Sequence, residues 1–321
     1  MEQASADRFR ELFEAASRAV GAVVKGQDEV VRDLLVSFLS GGHVLLEGVP
    51  GVGKTLIATA VAAVFGVEVS RIQFTPDLMP ADIIGTTVYD AASGRFLVKR
   101  GPIFTDIVVA DEINRAPART QSALLEAMQE RRVTIEGQSL DLGPSFFVVA
   151  TQNPVEMEGT YPLPEAQLDR FMMKLRVGYP DRAAEDSLLA ALRDGYRVDR
   201  LDLGGLGPVW PRGEIEPLKA AARSARIEDS ILAYVADIVR ATRSWAGVEV
   251  GCSPRAGLVL LAAARVRAAS EGRDFVVPDD VKSLALPVLS HRILPSAEAE
   301  LEGFDGASVV AQVLDGTAAP R

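Results

Sequence analysis

Apolar residues first recur at helical spacing over residues 7–20 (DRFRELFEAASRAV), where Phe9, Leu12, Phe13, Ala16 and Val20 share one face. A second periodic helix is predicted at 29–39. The pattern then changes period. Val44, Leu45 and Leu46 form a short continuous run ending at Gly48, and an Ala-rich stretch of helical length follows at 56–65 (LIATAVAAVF). Further short strands are predicted at 68–74 (EVSRIQF), 107–110 (IVVA), 146–151 (FFVVAT) and 171–177, with helices at 114–131 and 164–170 between them. Continuous rather than alternating apolar runs are expected of strands covered on both faces, so the pattern is that of a parallel sheet flanked by helices.

Two stretches do not fit a minimal alternation. Residues 86–90 and 95–99 read as extended arms about AASG, and 133–142 (VTIEGQSLDL) alternates about Glu136-Gly137, so each predicts an inserted hairpin. After Tyr179-Pro180 the strands stop. Helices are predicted at 181–194, 216–224, 230–245, 254–271 (capped by Ser253) and 278–293, with a linker or irregular excursion at 204–213 (GGLGPVWPRG). The chain therefore divides into an α/β core, residues 1–180, and an all-helical domain, residues 181–321. The end of that domain, 305–321, is poor in aromatics and reads as a loose tail.

Composition narrows the classes that remain. At 321 residues the chain suits about two domains. No apolar run approaches the ~18 to 20 residues of a membrane span, and MEQASADRFRELFEAAS lacks the pattern of a signal peptide, so cytoplasm is the expected compartment. The single cysteine, Cys252, excludes an internal disulfide, and with two histidines it argues against zinc. Any metal should be held by oxygen, which points to Mg²⁺. Thirty-four basic against forty-four acidic residues give a net charge of −10, which counts against a nucleic-acid partner.

The chemistry begins at GVPGVGKT. Gly48, Gly53, Lys54 and Thr55 match the phosphate-loop pattern, with Val49, Pro50, Gly51 and Val52 between them and Leu56 continuing into the helix. Glycines let successive N–H groups point into one concavity, and the helix that follows adds its positive end. Lys54 would reach the outer phosphates and the Thr55 hydroxyl would ligate Mg²⁺. Asp111-Glu112 closes a strand in the same predicted sheet: Asp111 suits the metal's shell, and Glu112 can orient and deprotonate a water. Asn153, at the end of the next strand, could bond that water or a phosphate, or could only shape the turn before Pro154. The turn at residues 23–27, including Val24 and Gly26, is either a seat for an adenine ring or an ordinary interhelix turn.

GVPGVGKT, IVVADEINRAPARTQSALLEAMQERRVTIEG, VVATQNPVEMEGTYPLPEAQLDRF and SPRA, in this order from about Gly26 to Ala256, resemble the MoxR group of AAA+ ATPases. The resemblance implies a five-stranded parallel core of order 5-1-4-3-2 with a helical lid. It also implies rings, commonly hexamers, that bind ATP between subunits. Residues 48–55 then match Walker A, Asp111 and Glu112 Walker B, Asn153 sensor 1, Arg170 the arginine finger acting on the adjacent subunit, and Arg255 sensor 2, in cis or in trans. The hairpins match inserts that face a pore or substrate in such relatives. The implied function is ATP-driven, chaperone-like maturation of a client protein, including metal or cofactor insertion, alongside proteins with von Willebrand factor A domains. A nucleic-acid-stimulated motor, as in related helix-2-insert ATPases, is the alternative.

Overall fold

In the computed structural model, residues 3–154, 159–193, 203 and 205–320 are described; Asp194 and Gly204, at the edges of the predicted helix and excursion, lie outside them. The helices are α1 (Gln3–Val23), α2 (Asp28–Ser40), α3 (Lys54–Phe65), α4 (Pro80–Ile84), α5 (Ala118–Glu130), α6 (Glu165–Leu168) and α7 (Arg182–Arg193), then α8 (Ile215–Arg223), α9 (Asp229–Ser244), α10 (Pro254–Ser270), α11 (Pro278–Leu289), α12 (Ala297–Leu301) and α13 (Gly306–Gly316). The strands are β1 (Val44–Glu47), β2 (Val69–Gln73), β3 (Gly85–Asp90), β4 (Arg95–Arg100), β5 (Ile107–Asp111), β6 (Arg132–Ile135), β7 (Gln138–Asp141), β8 (Phe147–Gln152), β9 (Met173–Arg176), β10 (Val248–Val250) and β11 (Leu294–Pro295).

Five of these strands form one parallel sheet in the order β2-β5-β8-β1-β9. Numbered among themselves, the core strands read 2-3-4-1-5, which is the implied order from its other edge. β5 is buried along its whole length and β8 up to its last residue, as continuous apolar runs require. Both inserts are antiparallel hairpins, β3 with β4 and β6 with β7.

A buried histidine ties the entry of β1 to its neighbours. The Val148 N–H donates to Nδ1 of His43, and Nε2 donates to the Met128 carbonyl, each at 3.0 Å. Burial pushes the His43 pKa down to about 4, so the ring is neutral in the folded chain. The unfolded chain would bind a proton near pH 6.5 that the folded chain refuses until about pH 4. This contribution is fully present above pH 6.5 and is lost as pH falls toward 4; His291, also buried and shifted the same way, adds to it. The unfolding midpoint in urea should therefore drop across that window, and His43→Gln should flatten the slope. An equally steep slope in the variant would contradict the assignment.

Three features depart from the pattern. First, Trp210 in the 204–213 stretch is 1% exposed, donates its indole N–H to the Leu12 carbonyl at 3.0 Å, and stands edge-on to Phe9 and tilted against Phe65. That part of the excursion is pinned to α1 and α3. Second, the loose tail expected at 305–321 is instead α13 over Gly306–Gly316, with Val309, Val310 and Val313 buried and Asp305 capping it by accepting from the Ser308 N–H. Its valines fill a place against α11 and α9 that only tertiary packing reveals. Third, β10 pairs with β11, a minimal ladder within the otherwise helical C-terminal part. One apolar cluster runs without a break from β1 and β8 through α1 and α2 to α9, α10, α11 and α13.

Candidate nucleotide site

Three strand ends and a loop meet at the C-terminal edge of the sheet. α3 starts at Lys54, two residues before the apolar run, because Gly53 takes the left-handed conformation ahead of it at φ 85°. Gly51 does the same at φ 86°. Gly48 is required for a different reason: a Cβ there would run into the Val177 carbonyl. The Lys54 ammonium donates to the carbonyls of Gly48 and of Val49, the latter at 2.9 Å. Partial burial lowers its pKa, while the charges of Asp111 and Glu112 oppose that shift. Phosphate oxygens would compete with those two carbonyls for the ammonium.

The Thr55 hydroxyl lies 3.1 Å from each oxygen of the Asp111 carboxylate, donating to them across the space between α3 and β5. Thr151, on β8, donates to the same carboxylate at 3.3 Å and accepts from the Glu112 N–H at 2.9 Å. A hydroxyl beside a buried carboxylate is a hard oxygen donor set, so the residues fit Mg²⁺. Arg71 Nε also contacts Asp111, at 2.6 Å; its side chain is 56% exposed and can leave for solvent. Glu112 is non-glycine at φ 56°, a conformation of the kind held at functional positions. Its carboxylate accepts from Gln73 at 2.9 Å and pairs with Arg115 at 3.1 Å, so its direction is fixed. Asn153 is buried beside this cluster, its carbonyl accepting from the Asn114 amide at 3.5 Å.

Arg71, Gln73, Arg115 and Thr151 are site residues that no motif announced. Gln73 stands in register with Asp111 because β2 and β5 are neighbours. Period two then puts Arg71 and Gln73 on one side of β2 while Ile72 is buried on the other.

The remaining candidates lie elsewhere. Val24 is buried, and Gly26, at φ 71°, leaves no room for a Cβ, which would run into Ala184 and Pro180; Gln27 donates to the Gly178 carbonyl at 2.8 Å, fastening that turn to the segment after β9. Leu56 is half-buried against the core. Arg170 is not at the loop. Its guanidinium donates to the Leu125 carbonyl at 2.8 Å and borders a cavity of about 330 Å³ lined by α5 residues and Gln167, with no loop residue among them. Arg255 is exposed at the start of α10, close enough for its charge to act on Arg292.

Residues 43–173 match the ATPase family associated with various cellular activities (AAA), and 240–313 match the AAA lid domain. The chain is 43% identical to the chaperone MoxR1 of Mycobacterium tuberculosis, over 96% of this chain and 82% of that one. It belongs to the MoxR group of AAA+ ATPases. The uncharacterized protein YeaC of Bacillus subtilis is similar at 43% identity, over 96% of this chain and 95% of that one. A crystal structure described as that of a candidate ATPase from Cytophaga hutchinsonii superposes with a TM-score of 0.89 at 38% identity, covering 99% of this chain and 97% of its own. As a MoxR-type AAA+ ATPase, the protein hydrolyses ATP, and its fold joins the five-stranded parallel core to a helical C-terminal region.

Proposed function

We propose that ATP is hydrolysed between adjacent copies of this chain in a closed ring of six, and that the cycle remodels or matures a client protein. The observation that carries this reading is the position of Arg170. A residue whose guanidinium sits among α5 side chains, away from the loop of its own chain, can neutralise a γ-phosphate only in another copy. Arg255, exposed at the start of α10 and near enough to Arg292 for the two charges to act on each other, is assigned to act in trans as well. The division of roles places the core in residues 1–180 and the lid in 181–321.

Within each site, Lys54 binds the outer phosphates and Glu112 orients and deprotonates the attacking water, with Asn153 helping to hold it. Thr55 and Asp111 would hold Mg²⁺, which supplies positive charge at the phosphates when bound. Phosphoryl transfer asks little covalent chemistry of the protein, so preorganised charge carries most of the rate. The turn at Val24 and Gly26, braced by Ala184, borders the adenine. The β3–β4 hairpin supports a client-facing role: Val88, Tyr89, Phe96 and Leu97 are all exposed, and the Tyr89 and Phe96 rings meet edge to face at 5.4 Å. Exposed apolar groups on a projecting hairpin are fit to grip another chain. A cytoplasmic client, matured by metal or cofactor insertion with a von Willebrand factor A domain protein in attendance, is the setting this reading adopts.

Turnover per subunit should rise steeply with protein concentration, and ATP should drive a shift from small species to a six-subunit ring in multi-angle light scattering. Turnover independent of concentration would defeat the shared site. Strong stimulation by duplex DNA at physiological salt would replace the protein client with a nucleic-acid track.

A further inference from the structure

A buried cation outside the nucleotide site grips the segment that carries Arg170. Arg292, in the 3₁₀ turn Ser290–Arg292 after α11, is 9% exposed and makes five hydrogen bonds. One goes back to Val288. The other four go to residues bracketing Arg170: the Asp169 carboxylate at 2.7 Å, the Asp169 carbonyl at 3.3 Å, the Phe171 carbonyl at 2.6 Å and the Met172 carbonyl at 3.3 Å. His291 adds a bond from Nε2 to the same Phe171 carbonyl at 3.2 Å, and burial keeps that ring neutral.

The backbone before and after Arg170 is therefore held, at Asp169 and at Phe171 and Met172, from the C-terminal helical part of the chain. Only a planar fork can span one carboxylate and three carbonyls, and a buried guanidinium that lost these partners would bear the full desolvation cost. The bonds therefore move as a set: where the turn after α11 goes, the backbone of Arg170 must follow. None of them touches Lys54, Thr55, Asp111 or Glu112.

We propose that Arg292 is a positioning residue for Arg170, so that the placement of the helical lid in one copy sets hydrolysis in the adjacent copy rather than in its own site. This rests on the reading of Arg170 as acting in trans.

The test mixes variants in one oligomer. Arg292→Lys keeps the charge and loses the fork; alone it should lower turnover by about 10²-fold, the scale of a small misplacement of a catalytic group. ATP affinity, measured by fluorescence titration, should be unchanged. Copies carrying Arg292→Lys have an intact loop and a misplaced finger, whereas copies carrying Glu112→Gln have a dead site and an intact finger. Coassembled, they should hydrolyse ATP well above either variant alone. Asp169→Asn, nearly isosteric and partly exposed, should behave likewise and stands in if Arg292→Lys does not fold. Unchanged turnover in the variants, weakened ATP binding, or no gain on mixing would overturn the proposal. Arg170→Ala mixed with Glu112→Gln is the control. If that pair recovers activity and the Arg292→Lys pair does not, the shared site stands and the lid coupling falls; if neither recovers, the shared site falls first.

Discussion

Arg170→Ala should lower the turnover number by about 10³- to 10⁵-fold while leaving ATP affinity within about twofold, the range by which an arginine supplied in trans accelerates P-loop enzymes. The split between binding and turnover follows from where the side chain sits. Its guanidinium makes one hydrogen bond to the Leu125 carbonyl at a partly open cavity, and the residues that surround it contribute nothing to the phosphate loop of the same chain. Removing it should cost about 1 kcal/mol of folding stability, so a folded, nucleotide-binding protein is expected. Arg170→Lys should recover little, because an ammonium lacks the planar fork that spans two phosphate oxygens. Equilibrium titration with a fluorescent ATP analogue, set beside single-turnover phosphate release, separates the two quantities. Near-normal release by the alanine variant would remove the finger from the reaction.

How far this site was legible in the sequence depends on the range of the interaction. GVPGVGKT, the run into Asp111-Glu112 and the two hairpins are local, since period, turn chemistry and spacing lie within a few residues of one another. They stand where the pattern put them, with β3 and β4 closing about Gly94 and β6 and β7 about Glu136-Gly137. Gln73 and Arg71 were hidden in a stretch, 68–74, that read only as a short strand. Their role depends on β2 lying beside β5, and the implied strand order already contained that adjacency, so the residue level with Asp111 could have been sought on β2. The short helix α4 was obscured by its five-residue length and by Gly85 just after it, although Pro80 at its first position is a helix-start signal. The final helix was hidden by its small residues and its short length; the signal present was Asp305 three residues ahead of Ser308, a capping arrangement before four apolar positions. The grip of Arg292 on residues 169–172 had no local signature, because it joins segments 120 and more positions apart, through one carboxylate and three backbone carbonyls that any sequence supplies.

Glu112→Gln should bind ATP and hydrolyse it about 10²- to 10⁴-fold more slowly, the usual contribution of a general base. The exchange is nearly isosteric, and the surroundings of Glu112 say what else would change. The bond from Gln73 can still be accepted by the amide oxygen, and the ion pair to Arg115 is partly exposed and so worth little. The left-handed backbone at this position is occupied about as readily by glutamine as by glutamate, so the strand end should keep its shape. What is lost is the ability of the carboxylate to take a proton from water at Oε1, the oxygen turned outward because Oε2 accepts from Gln73 and pairs with Arg115. Lys54, Thr55 and Asp111 are untouched, so the triphosphate should stay bound and the ATP-held assembly should persist. A filter-binding assay should then show ATP retained for many wild-type turnover times, and an affinity pulldown from cell extract in ATP should hold the client that wild type releases. Phosphate release at the wild-type rate would mean that the proton leaves by another route, and Asp111, the other carboxylate of the pair, would have to serve as base as well as metal ligand.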